Sequence, residues 1–149
     1  MKNLKPFLLM AVFLITLGSC QEVVDKSTNK IKNTDVIKAT TTVFAKDVNP
    51  KNFKNLVDSK AGLLVDVRTP GEFASGHIPG ALNIDWKNKD EFTRKIKAIA
   101  KDKTVLIYCH SGHRSGLAKK YLQEKGYTKI YNLETGIKGW KKAALPIEK

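Results

Sequence analysis

From Val43 onward, short apolar runs alternate with stretches in which apolar residues recur every three or four positions. Residues 63–67 (LLVDV) and 104–108 (TVLIY) are continuous apolar runs of strand length, the pattern of strands covered on both faces. Residues 43–45, 81–84 and 129–133 predict three further strands, the first of them at a sheet edge. Helical patterns fill the intervals. Asn49 and Pro50 open a helix as cap and first-turn residue, with Phe53, Leu56 and Val57 on its apolar face. Thr69-Pro70-Gly71 turns the chain into a short helical piece around residues 72–74. Residues 90–100 place Phe92, Ile96 and Ile99 at helical spacing, and residues 115–125 do the same with Leu117, Ala118, Tyr121 and Leu122 before Gly126 ends the run. A last helix covers residues 137–143 with Trp140. Strand–helix alternation implies crossover connections, so the expected fold is α/β: a mostly parallel central sheet of about five strands with helices on both faces. Ligands of such sheets bind beyond the carboxyl ends of the strands. Cys109 directly follows the strongest of them.

The chain before residue 43 has a different pattern. Lys2 and Lys5 precede a twelve-residue apolar stretch, 6–17, which falls short of the roughly 20 residues a membrane-spanning helix requires. Leu17-Gly18-Ser19-Cys20 follows, and this resembles the signal of bacterial lipoproteins. The resemblance implies a signal peptide over residues 1–19 and a diacylglycerol thioether on Cys20. It places the protein in the bacterial cell envelope, lipid-anchored on the periplasmic face. Gln21 rather than Asp leans toward the outer membrane. An ordinary signal peptide with an incidental Cys20 is the alternative. Residues 20–42 are polar and rich in Lys, Asn and Thr, as expected of the lipidated Cys followed by a flexible tether. Residues 43–149 would then form the folded domain.

Charge adds little chemistry. The 27 Lys+Arg against 14 Asp+Glu of the 149-residue chain give a formal +13, but the lysines are scattered and only Arg68, Arg94 and Arg114 are arginine. Without a dense basic stripe or interleaved aromatics, nucleic acid is not an expected partner. Two cysteines, Cys20 and Cys109, exclude a cysteine-only zinc site and a disulfide network. One disulfide remains arithmetically open; lipidation of Cys20 would leave Cys109 a free thiol in an oxidising compartment.

The candidate chemistry lies in the segment Cys109-His110-Ser111-Gly112-His113-Arg114-Ser115. A thiol at the end of a buried strand, followed by a tight loop and a helix start, can receive converging backbone N–H groups and the positive end of the helix dipole. Such surroundings favour the thiolate, and His110 and His113, when protonated, would act in the same direction. Gly112 permits a backbone conformation other residues resist, and Ser115 is positioned to cap the helix.

Two separated motifs carry a family resemblance. Residues 66–84 (DVRTPGEFASGHIPGALNI) resemble the signature segment of rhodanese-like domains, and residues 109–115 (CHSGHRS) resemble their active-site loop. The likeness extends over residues 43–146, including Gly136 to Trp140. Thr135-Gly136 stands where many members have Gly-Gly, and the loop histidines occupy positions where members vary. The resemblance implies a sulfurtransferase without cofactor or metal. Cys109 would take the outer sulfur of thiosulfate or of another persulfide and pass it to a thiol or to cyanide. His110, Ser111, Gly112, His113 and Ser115 would bind the anionic persulfide through the loop amides, and Arg114 would orient the donor. Asp66, Arg68 and Glu72 are expected to support the loop wall, with Arg68 ion-paired to Glu72. A monomer suffices.

Two competing functions stand beside this one. Rhodanese-like domains also serve as noncatalytic binding modules, usually after losing the cysteine that is present here. Related phosphatases and arsenate reductases are the other class. Their loop is C-x5-R and encloses an oxyanion, whereas Cys109 to Arg114 is C-x4-R and fits a single sulfur. Metal binding by His77, His110, His113 and Cys109 lacks any ligand pair at helical spacing.

Overall fold

The structure, a computed structural model, describes residues 43–149. The expected signal peptide, the lipidated Cys20 and the tether lie outside the described residues. Five strands, β1 (Phe44–Val48), β2 (Leu63–Asp66), β3 (Leu82–Asn83), β4 (Thr104–Tyr108) and β5 (Lys129–Leu133), alternate with five helices. These are α1 (Pro50–Asp58), α2 (Pro70–Ala74), α3 (Lys89–Lys97), α4 (His113–Glu124) and α5 (Gly136–Lys142). The sheet order is β1-β5-β4-β2-β3 and every pairing is parallel. The α/β architecture is therefore the one the hydrophobic pattern implies.

Period-two alternation divides the buried apolar strand residues between two cores. Val65, Val105, Ile107 and Ile130 face Phe92 and Ile96 of α3 and Ala118 and Leu122 of α4. Leu64, Leu106, Tyr108 and Leu133 face Phe53 of α1 and Ile137 and Trp140 of α5. Cys109 falls on the α3/α4 side of this alternation, one residue past the strand. From β2 the chain leaves toward β3 and from β4 it leaves toward β5, so the strand order diverges between these neighbours. A crevice opens there at the carboxyl ends. Cys109 lies on one side of it and residues 66–68 on the other.

Several details differ from expectation: α3 ends at Lys97 rather than near residue 100, Leu117 on α4 is 42% exposed rather than on the buried face, and three further differences concern β1, β3 and the start of α4. β1 extends to Val48 because it pairs along its whole length with β5, from Phe44↔Lys129 to Val48↔Leu133. β3 shrinks to Leu82 and Asn83, which pair with Val65 and Asp66 of β2. Helix α4 starts at His113, not Ser115: Gly112 takes the cap position with φ +91° and supplies no side-chain cap bond. Ser115 is thus within the first turn and is not a cap.

The C-terminal segment folds back on the signature loop. His77 and Glu148 exchange backbone hydrogen bonds of 2.8 and 3.0 Å, Glu148 Oε1 accepts from Gly80 N at 2.9 Å and lies 3.1 Å from His77 Nε2, and Trp140 Nε1 donates to Pro146 O at 2.7 Å. His77 also stacks on Phe73, with Nδ1 3.2 Å from the Phe73 carbonyl. It is a structural residue of the loop.

The wall opposite Cys109 rests on a buried ion pair. Asp66 is fully buried and Arg68 is 3% exposed. The Asp66 carboxylate accepts from Arg68 N, Nε and Nη2 at 2.6–3.0 Å, and Nη2 also donates to Gly76 O at 2.9 Å. The expected pairing of Arg68 with Glu72 is corrected: the carboxylate two residues back is already desolvated and aimed at the same guanidinium. Removing one partner of a buried pair leaves an uncompensated charge, which costs about 3–5 kcal/mol. Asp66→Ala should therefore destabilise the domain by about that amount in urea denaturation, and a loss below about 1 kcal/mol would contradict the role given to this pair.

Candidate active site

Cys109 is 1% exposed and its sulfur is held from within its own loop. Gly112 N donates to Sγ at 3.2 Å, and Ser115 Oγ lies 3.4 Å from Sγ and 3.1 Å from Gly112 O. The single hydroxyl proton of Ser115 can serve either acceptor. Of the loop amides expected to converge on the sulfur, Gly112 is the one that reaches it. The N–H groups of His110, Ser111, His113, Arg114 and Ser115 have no acceptor among the described residues. A short loop thus presents five free backbone donors beside a thiol at the N-terminus of a twelve-residue helix.

Outside contacts hold the loop in this shape. Ile137 N donates to Cys109 O at 2.8 Å and Lys138 N donates to His110 O at 3.0 Å, so the start of α5 is bonded to the first two loop carbonyls. The approach is close: a Cβ on Gly136, at φ +57°, would lie 2.5 Å from the His110 carbonyl carbon. A Cβ on Gly112 would lie 1.9 Å from Glu134 O, so both glycines are required by sterics as well as by φ. This docking of α5 was not anticipated from the sequence. Thr135-Gly136, noted there as a departure at a turn, is the only local signal of it.

Arg114 and Glu72 are the second correction. The guanidinium Nη1 and Nη2 donate to Glu72 Oε2 and Oε1, both at 2.7 Å. The same carboxylate accepts from Thr69 N at 3.1 Å and Thr69 Oγ1 at 3.0 Å, closing a capping box at the start of α2. Glu72 therefore braces Arg114 rather than Arg68. The Arg114 hydrogen bond, partly opposed by burial and reinforced by Thr69, pulls the Glu72 carboxyl down to about 2. Glu72 in turn raises the Arg114 guanidinium above its ordinary value. His110, Ser111 and His113 are exposed at the rim, while Gly112 and Ser115 are buried below it. Among the described residues no cluster of three or more His, Cys, Asp or Glu side chains is placed to hold a metal ion.

A buried thiol in a loop of unpartnered amides thus lies at the switch point of a parallel sheet. Residues 49–143 match the rhodanese-like domain family, and the chain belongs to it. A sulfurtransferase of Allochromatium vinosum is 43% identical over 94 residues, which span 63% of this chain and 85% of that protein. The thiosulfate sulfurtransferase GlpE of Stutzerimonas stutzeri is 30% identical over 92 residues, spanning 62% and 82%. In four further relatives the aligned stretch covers between 30% and 59% of the protein. A rhodanese-related protein of Thermoplasma volcanium superposes with a TM-score of 0.61 at 29% identity, over 69% of this chain and 97% of that one.

The Glu72–Arg114 pair carries a pH signature. A carboxyl whose pKa is lower folded than unfolded contributes its full stability above the unfolded value, near 4.5, and loses it as the pH falls toward about 2. The stability difference between wild type and Glu72→Gln should be constant from neutral pH to about 5 and then shrink on further acidification. Denaturation midpoints measured across that range check this; a difference that persists unchanged at pH 2.5 would refute the pairing.

Proposed function

We propose that the protein is a sulfurtransferase that carries sulfur as a Cys109 persulfide. The observation that supports this best is the buried Cys109 sulfur within a loop whose remaining amides are unpartnered donors. In the first half-reaction the Cys109 thiolate attacks the outer sulfur of thiosulfate. A new S–S bond forms to Cys109, the donor's S–S bond breaks, and sulfite departs with the electron pair. A persulfide donor reacts in the same way and releases a thiolate. In the second half-reaction a thiol or cyanide attacks the outer sulfur of the persulfide and regenerates the Cys109 thiolate. No external oxidant or reductant enters either step.

The negative charge of the persulfide rests on its outer sulfur, and unpartnered amides of the loop together with the helix dipole would stabilise it. Ser115 and Gly112 hold the inner sulfur. Arg114, fixed by Glu72, forms the loop wall beside it and orients the donor. The four residues between Cys109 and Arg114 suit one sulfur atom, which favours sulfur transfer over phosphate or arsenate chemistry. The names of relatives as sulfurtransferases point the same way.

We place the protein at the bacterial cell envelope, with Cys20 lipidated, residues 21–42 as tether and 43–149 as the catalytic unit. The reading rests on the residues of the N-terminal signal.

Thiosulfate treatment of the reduced protein should add about 32 Da, one sulfur atom, to the peptide containing Cys109. Cys109→Ser should retain its circular dichroism and release no sulfite above background. Turnover in that variant would refute the persulfide mechanism. Expressed from the full chain, wild type should partition into detergent and Cys20→Ser into the aqueous phase; identical partitioning would remove the lipid anchor.

A further inference from the structure

Beside the active-site loop lies a groove of about 430 Å³. Glu72 of α2 and Ser75 at its C-terminal cap form one bank, His110 stands at the head, and Ile137, Lys138 and Lys141 of α5 form the other bank. The charges around it are unevenly committed. Arg68, which also borders the groove, is bound to Asp66, and Arg114 is bound bidentately to Glu72. Each arginine is thus neutralised by a carboxylate at hydrogen-bond distance. Lys138 and Lys141 form no ion pair among the described residues. They are exposed and three positions apart, hence on one face of α5. Glu134, the nearest acidic residue before α5, is not part of the groove lining. Lys138 is also hydrogen-bonded directly to the active-site loop: its own N–H donates to the His110 carbonyl at 3.0 Å.

We infer that Lys138 and Lys141 form a recruiting site for a small, doubly negative sulfur donor of the thiosulfate class. The inference rests on the sulfurtransferase reading and deepens it by naming what attracts the donor. A loop whose only arginine is charge-balanced offers directional N–H donors but little net attraction at a distance. Two uncompensated ammonium groups on the adjoining helix supply that attraction, and it scales with the charge of the donor. A dianion therefore gains about twice what a monoanionic persulfide gains. The lysines concentrate it beside His110, one residue from the sulfur, and the loop amides take over as the new S–S bond forms. Both lysines act before chemistry and are positioning residues.

The test is steady-state sulfite release from thiosulfate by the full chain at low and at near-physiological salt. At low salt the Lys138→Gln/Lys141→Gln double variant should show a KM for thiosulfate raised about five-fold, with kcat little changed. Its kcat/KM should also depend less steeply on ionic strength than that of wild type. Lys138→Arg/Lys141→Arg, which keeps both charges, should retain the wild-type KM. An active wild type with an unchanged KM and salt dependence in the Gln variant overturns this inference alone. A wild type that releases no sulfite from thiosulfate overturns this inference, and one that also forms no Cys109 persulfide with a persulfide donor overturns the sulfurtransferase reading as well.

Discussion

The orientation of two peptide planes governs the site. A planar trans peptide points its carbonyl and the following N–H in opposite directions. Ile137 N holds the Cys109 carbonyl and Lys138 N holds the His110 carbonyl, so the amides of His110 and Ser111 are turned away from α5. Gly112 then reverses the chain in a left-handed conformation, returns its own N–H to Sγ, and delivers the chain into α4, whose first three amides have no carbonyl before them. The donors of the loop are thus free because their partner carbonyls are anchored elsewhere. Neither glycine in this arrangement has room for a Cβ, at Gly112 because of Glu134 and at Gly136 because of His110.

A second layer fixes the wall facing the thiol. Residues 66–72 contribute two carboxylates, and each grips a different arginine. Asp66 binds Arg68 wholly inside the domain, where the Tyr108 ring lies 5.9 Å from the guanidinium carbon and the Tyr108 hydroxyl accepts from Ile78 N at 3.0 Å. Burial, with the nearby Asp66 charge, raises the Tyr108 phenol far above its ordinary range and keeps it a neutral hydrogen-bonding group. Glu72 binds Arg114 nearer the surface and ties α2 to the start of α4. The result is a wall whose shape depends on two ion pairs, each arginine balanced by one carboxylate.

Much of this fold was legible in the sequence, because strands covered on both faces must be written as unbroken apolar runs. LLVDV and TVLIY announce the two strands that flank the crevice, and Cys109 at the end of the second marks the site. What was not legible depends on partners distant in sequence. Glu72 lies four residues from Arg68, and proximity suggested their pairing; the fold instead brings Arg114 across 42 residues to the same carboxylate. The cap of α4 was misplaced because a glycine in a left-handed conformation starts that helix with no side-chain signal, and a serine nearby looked like the more usual device. The docking of α5 leaves no sequence pattern beyond Thr135-Gly136, being two backbone bonds between residues 28 positions apart.

The fold-back of residues 146–148 has a mechanical consequence. Glu148 is bonded to His77 and Gly80, and the carbonyl of Gly76, one residue before His77, holds the Arg68 guanidinium. Trp140 ties the same segment to α5, which in turn grips the loop carbonyls. The tail is therefore wired in series with both sides of the crevice. A displacement of residues 146–148 would reach the crevice beside Cys109 through a few rigid links.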